Sequence, residues 1–76
     1  MILKEVLAET KQEVEGAVKQ YPEMRSFHEG YAIILEELDE LWEEIRKKPA
    51  ARDMKLLRHE AIQVAAMAAR FALDLT

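Results

Sequence analysis

A chain of 76 residues has room for one domain, spanning 1–76, and one core. Half of its residues are apolar and 34% are charged, the balance of a folding chain and not of a disordered one. The absence of cysteine excludes disulfides and thiolate zinc sites, and a net charge of −4 sets the chain against nucleic acid as a partner.

No apolar run reaches the roughly 18 residues that a membrane span needs, so no membrane partner is expected. The first residues, MILKEVLAETKQEVEG, carry acidic side chains and lack a secretory leader pattern, which makes the cytoplasm the expected compartment. Two glycines and two prolines leave few places to turn and imply a few long helices. A domain this small is often marginal alone, so assembly is the expected source of added stability.

The first helix is predicted from about Ile2 to Gln20. Leu3, Val6, Leu7, Thr10, Val14, Ala17 and Val18 follow i, i+3, i+4, i+7 spacing and make one apolar stripe. Pro22 pushes Tyr21 toward extended backbone and closes this helix. In SFHE, Ser26 and Glu29 have the spacing of a capping box and open a second helix. Along it Phe27, Tyr31, Ile34, Leu38, Leu41 and Ile45 form a stripe that Leu35 and Trp42 widen. Arg46, Lys47 and Lys48 suit the negative end of its dipole, and Pro49 stops it. The third helix is predicted over roughly Arg52 to Leu75. Its second half, AIQVAAMAARFALDL, is apolar nearly all round, more than two partner helices in one chain can cover. This implies an all-α, three-helix antiparallel protomer that assembles into a helical-bundle oligomer, a dimer or a tetramer, through that half of the third helix.

The chemistry concentrates in EELDELWEE, residues 36–44, where six of nine side chains are carboxylates. At about 100° per residue, Glu37, Glu40 and Glu44 share the side opposite Tyr31, Leu38 and Ile45. Glu43 with Lys47 and Glu44 with Lys48 are favourable i, i+4 pairs, as an ordinary solvated face would have. Against that stand the like-charge pairs Glu36–Glu40 and Glu40–Glu44, each costing a few tenths of a kcal/mol. Ile33 also projects on the acidic side, which implies that this face is partly covered and that its carboxylates need a counter-charge. Glu37 and Glu40 lie within one turn of each other, and a hard cation such as Mg²⁺ takes oxygen ligands of this kind. One helix cannot enclose an ion, so Glu60 on the third helix, with Gln63 one turn on, is the expected complement.

HEGYAIILEELDELWEEI followed by LRHEAIQVAAMAARF resembles the MazG-like branch of the all-α nucleoside triphosphate pyrophosphohydrolases. That family carries EExxE on one helix and ExxD on the next. Glu36, Glu37 and Glu40 match the first motif and Glu60 opens the second; the family's Asp is Gln63 here. The resemblance covers somewhat over half the chain. It implies Mg²⁺ at the acidic cluster and cleavage of a nucleoside triphosphate to monophosphate and pyrophosphate. Glu37, Glu40 and Glu60 would then be ligands, Gln63 a ligand through its amide oxygen, and Glu36 a ligand-side helper or the base. The alternative is a non-catalytic MazG-like assembly module that binds nucleotide or metal without turnover, which the change to Gln63 favours.

Lys47, Lys48, Arg52, Arg58 and Arg70 are the cations available to triphosphate oxygens. Lys47 and Arg58, nearest the two motifs, are the expected substrate contacts, and Trp42 is the side chain able to stack on a base, although its place beside the apolar stripe favours core packing. His59 is expected to face solvent and His28 to be structural, while Met67 and Phe71 read as core or interface. No Gly-rich phosphate loop and no Ser/His/Asp or Cys/His pattern is present.

Overall fold

The apolar periodicity is realised as three helices: α1 over Leu3–Gln20, α2 over Phe27–Ile45 and α3 over Met54–Leu75. The computed structural model describes all 76 residues and contains no strand. Tyr21 is extended after α1, as the following proline demands. Ser26 caps α2 by accepting from the Glu29 amide at 3.0 Å. The reciprocal arm of the capping box reaches one residue further back, with the Glu29 carboxylate accepting from the Arg25 amide at 3.4 Å.

The α2–α3 connection differs from expectation. α2 ends at Ile45, and Pro49–Ala51 form a single 3-10 turn before α3. Asp53, not singled out in the sequence, caps α3 by accepting from the Lys55 and Leu56 amides. Arg52 lies outside α3 and donates to the Ile45 carbonyl at 2.8 and 3.1 Å, satisfying an orphan acceptor at the end of α2. The expected i, i+4 ion pairs are replaced by i, i+3 pairs, Glu43–Arg46 at 3.5 Å and Glu44–Lys47 at 2.8 Å.

Cross-helix contacts give the topology. Glu13 and Ala17 of α1 meet Gln63 and Arg70 of α3 in the same chain order, so α1 and α3 run parallel. Gly30, near the start of α2, lies under Phe71 and Leu75 near the end of α3, so α2 runs antiparallel to α3. A Cβ at Gly30 would stand 2.8 Å from the Phe71 ring edge and 3.1 Å from Leu75. Only glycine lets the two helices come this close. α3 packs against both other helices, while α1 and α2 do not pack on each other. The protomer is therefore an open V with α3 at its base.

That opening limits the core. Ala17, Met24, Ile62 and Ala66 are its buried apolar members, and no large side chain is fully enclosed. One charged residue joins them. The Arg70 guanidinium, 4% exposed, donates to Asp74 at 2.9 Å, to Tyr21 and Pro22 carbonyls at 2.9 and 3.0 Å, and to the Ala17 carbonyl. Asp74 also accepts from the Met24 amide at 3.0 Å. Arg70 thus closes the C-terminal end of α1 and fixes the turn after it. Four of its five N–H donors are spent within the fold, so its first role is architectural.

The wide stripe of α2 is split by this geometry. Gly30, Ile33, Ile34, Glu37, Leu41 and Glu44 are buried or half-buried, whereas Phe27, Tyr31, Leu35, Leu38, Trp42 and Ile45 are exposed. The acidic side, which Ile33 implied to be partly covered, therefore supplies much of the packing, and Trp42 is not a core residue. On α3, Phe71 is half-buried and tilts against Phe27 with ring centroids 6.0 Å apart, while Ala65, Ala68, Ala69, Ala72 and Leu73 remain outside.

Candidate metal centre

Because α2 turns its Ile33/Glu37 side toward α3, it carries carboxylates into the contact between the two helices. Glu37, Glu40 and Glu60 each place one oxygen within 4.8 Å of the others. Glu37 and Glu60 are half-buried and Glu40 is exposed. One Glu60 oxygen, Oε2, is buried with no hydrogen-bond partner at all. Leaving a charged acceptor in that state costs more than the roughly 1–3 kcal/mol of a neutral one, so the group needs a proton or a cation.

The electrostatics say the same. Burial raises the pKa of Glu37 above its ordinary value of 4.5, and the Glu40 charge, a proton shared with Glu40, Glu60 and Glu36 raise it further. Burial likewise raises Glu60 above 4.5, followed by the charge of Glu40 and a proton shared with it. His59 works against that rise, and Glu44 adds slightly to it. Glu40, the most accessible of the three, is thus the common neighbour of both perturbed groups.

The donor set fits a hard divalent cation. Carboxylate oxygens around Mg²⁺ or Ca²⁺ lie about 2.0–2.6 Å from the metal, so no two oxygens on one ion stand more than about 5 Å apart. The three oxygens, all within 4.8 Å of one another, meet that bound. Three carboxylates on one side leave the other coordination positions to water or to phosphate oxygens.

Next to the cluster the two arms of the V enclose a cleft of about 620 Å³, a volume in the range of small-molecule sites. Glu36 and Glu37 line its α2 wall, Glu13, Gly16 and Gln20 its α1 wall, and Gln63, Met67 and Arg70 its floor. Its carboxylates are unbalanced, since Arg70 is already committed. A polyphosphate entering here would need a cation to bring it in.

The residues singled out in the sequence separate into three groups. Glu37, Glu40 and Glu60 converge. Glu36 stands exposed on the cleft side beside them, close enough to raise Glu37. Gln63 sits on the cleft floor, but its amide nitrogen donates to Glu13 at 2.6 Å, so α1 holds the side chain in place of the cluster's full attention. Lys47 is engaged with Glu44, next to the acidic motif. Arg58 and Trp42 are not brought to the carboxylates. Each is exposed and two residues from a cluster member, about 200° round its helix from Glu60 and Glu40 respectively.

No family model, curated protein or solved structure matches this chain. The assignment of chemistry therefore rests on the site. Glu13 is the participant that the sequence concealed: it lies among polar residues of α1 and meets Gln63 only across 50 positions of chain. The single available signal was the half-polar character of the α1 stripe, where Thr10 also turns inward and returns its hydroxyl to the Val6 carbonyl.

Proposed function

We propose that this chain is a MazG-like, Mg²⁺-dependent nucleoside triphosphate pyrophosphohydrolase, active as a homo-oligomer and holding its metal with Glu37, Glu40 and Glu60. The observation that carries this is the buried, unpartnered Glu60 oxygen facing two further carboxylates across the α2–α3 contact. A like-charged cluster of that kind is costly for the metal-free fold and is offset when a cation binds. The resemblance of EELDE and EAIQ to the two motifs of the family supports the nucleotide half of the proposal.

Bound there, the metal would neutralise phosphate charge and make a coordinated water more acidic. Glu36 lies outside the converging three and on the cleft side, so it is the carboxylate free to take a proton from such a water. Lys47 is the cation next to the motif and would exchange its Glu44 partner for a phosphate oxygen as substrate enters. The cleft between α1 and α2 would accept the nucleoside, with the Glu13–Gln63 pair offering polar edges on its floor. Trp42 and Arg58 have no part in this scheme.

Incubation with a panel of nucleoside triphosphates and Mg²⁺, with pyrophosphate release as the readout, tests the proposal. Release that Glu40→Gln abolishes supports it. No release from any nucleotide, with Glu40→Gln indistinguishable from the parent, removes the enzyme. The second reading, an assembly module without turnover, is favoured by one observation, the Gln63 amide being drawn to Glu13 where the family has a ligand Asp. Calorimetry with Mg²⁺ and a nucleotide separates the readings within it: heat without turnover leaves a binding module, and no heat leaves a scaffold.

A further inference from the structure

The molecule exposes more surface than its mass warrants. A folded monomer of 8.8 kDa has roughly 4,800 Å² of accessible surface, yet this chain exposes 5796 Å². The excess of about 1,000 Å² is close to what each partner contributes to a standard protein interface, about 800 Å². Much of it is apolar and lies in one place. Tyr31, Leu35, Leu38 and Trp42 are 57%, 41%, 48% and 56% exposed along the outer face of α2. Between Tyr31, Leu35 and Leu38 of this face and Ala68 and Phe71 of α3 runs a groove of about 290 Å³ lined by hydrophobic residues.

The order of these residues says what fits. Positions 31, 35, 38 and 42 are separated by four, three and four residues, the spacing of a coiled-coil seam. That pattern reads the same in both directions about a point between Glu36 and Glu37. A two-fold contact requires such self-complementarity, because each residue must meet its mirror position on the other copy. We propose that a second copy of this chain docks here, α2 against α2 and antiparallel, with Tyr31 beside Trp42 of the partner subunit and Leu35 beside Leu38 of the partner subunit.

The surroundings favour a second copy over a lipid surface. Glu36, Asp39 and Glu43 are exposed along α2, and the chain is negative overall, the opposite of the basic fringe that anionic bilayers attract. Glu36, Glu37 and Glu40 project about 120° or more from the middle of the seam. They neither repel across the contact nor become covered by it, so the cleft stays open in the dimer. The proposal therefore stands apart from the metal chemistry.

The test uses the absence of native cysteine. Sedimentation of the metal-free chain at micromolar concentration is expected to give a particle of twice 8.8 kDa, and Leu38→Glu to weaken self-association at least ten-fold. Chains carrying Tyr31→Cys and Trp42→Cys are then oxidised separately and mixed. Covalent dimer is expected from the mixture alone, since two copies of position 31 stand about 16 Å apart along antiparallel helices and a disulfide needs Cα atoms within about 7 Å. Loss of the dimer on either truncation supports the seam equally, and the mixing result decides if Leu38→Glu does not fold. A folded monomer overturns the proposal. So does a dimer in which each variant cross-links by itself, or in which the mixture does not cross-link. A monomer whose Trp42 emission shifts on phosphatidylcholine vesicles overturns it too and gives the face to lipid.

Discussion

Ten residues apart on α3, about 15 Å along its axis, Arg70 and Glu60 both draw charge out of water, and the fold treats them oppositely. Arg70 has a carboxylate and three carbonyls for its donors, and Asp74 has both Arg70 and a backbone amide. Glu60 has two carboxylates of its own sign and an oxygen with no donor. The first arrangement is complete, and it welds α1, the α1–α2 turn and α3 into one end of the molecule. The second is incomplete, in the contact between α2 and α3. Buried charge with every partner present reports architecture; buried charge with a partner missing reports a ligand.

The largest effect should come from breaking the complete end. Arg70→Met strands the Asp74 carboxylate and three carbonyls, at a cost of about 3–5 kcal/mol. That is most of the stability a small domain has, and thermal melting by circular dichroism should show a chain largely unfolded at 37 °C. Arg70→Met with Asp74→Leu removes both charges and should recover part of the loss.

At the incomplete site the sign should reverse. Glu60→Gln discharges the unpartnered oxygen and gives it donors for Glu37 and Glu40. The metal-free protein should gain on the order of 1 kcal/mol. The parent should be stabilised by saturating Mg²⁺, by about 2.7 kcal/mol at a hundred times Kd, and Glu60→Gln should lose that response in the same melt. A variant that is destabilised without metal, or that keeps the response, would place Glu60 with Arg70 among the structural charges.

The pH dependence sharpens the contrast. Glu37 and Glu60 titrate above their ordinary 4.5 in the folded chain, each first through burial and then through the charge of Glu40. Between 4.5 and those raised values the folded state binds protons that the unfolded state has released. Their contribution to metal-free stability is thus present at the acid side of that window and is lost as pH rises through it. Chemical denaturation from pH 5 to pH 7 should show the decline, less of it in Glu60→Gln. Mg²⁺ favours the deprotonated carboxylates and should flatten or invert the trend.

The two glycines give opposite signs, one beneath a packed ring and one beside the cleft. Gly30 lies under Phe71 and Leu75 at the closed end, so Gly30→Ala must displace an aromatic ring and should cost about 1–3 kcal/mol. Gly16 lines the open cleft with nothing within 4 Å of an added Cβ, so Gly16→Ala should gain up to about 1 kcal/mol in helix propensity. Equal responses in a denaturant series would mean that the two positions are packed alike.

Much of the fold was legible from local chemistry. The helical spacing of Val6, Thr10 and Val14, the break at Pro22 and the cap at Ser26 each specify backbone within a few residues, and each is found as expected, although Leu3, Leu7 and Val18 of the same stripe stay exposed. The Asp53 cap and the Arg52 contact with Ile45 were not foreseen, because each depends on the path of a short connection. The carboxylates at 37, 40 and 60 were also legible, since helical phase places the first two together and the third needs only a hairpin. The Glu13–Gln63 pair was not, because nothing local to either residue points to the other.

By itself, the sequence determined three helices, their breaks and a surplus of acid on one side of the second. It could not say which part of the α2 stripe turns inward. The apolar arc from Leu41 through Leu38 to Leu35 spans about 120°, and every portion of it is a permissible packing face. α3 covers only one flank, and α1 settles on α3 instead of on α2. That choice buried Ile33 and Glu37, left Tyr31 and Trp42 outside, and turned Arg70 from a surface cation into the pin at the end of α1. Helical phase is a property of a few consecutive residues; which neighbour meets which phase is decided by the whole chain at once.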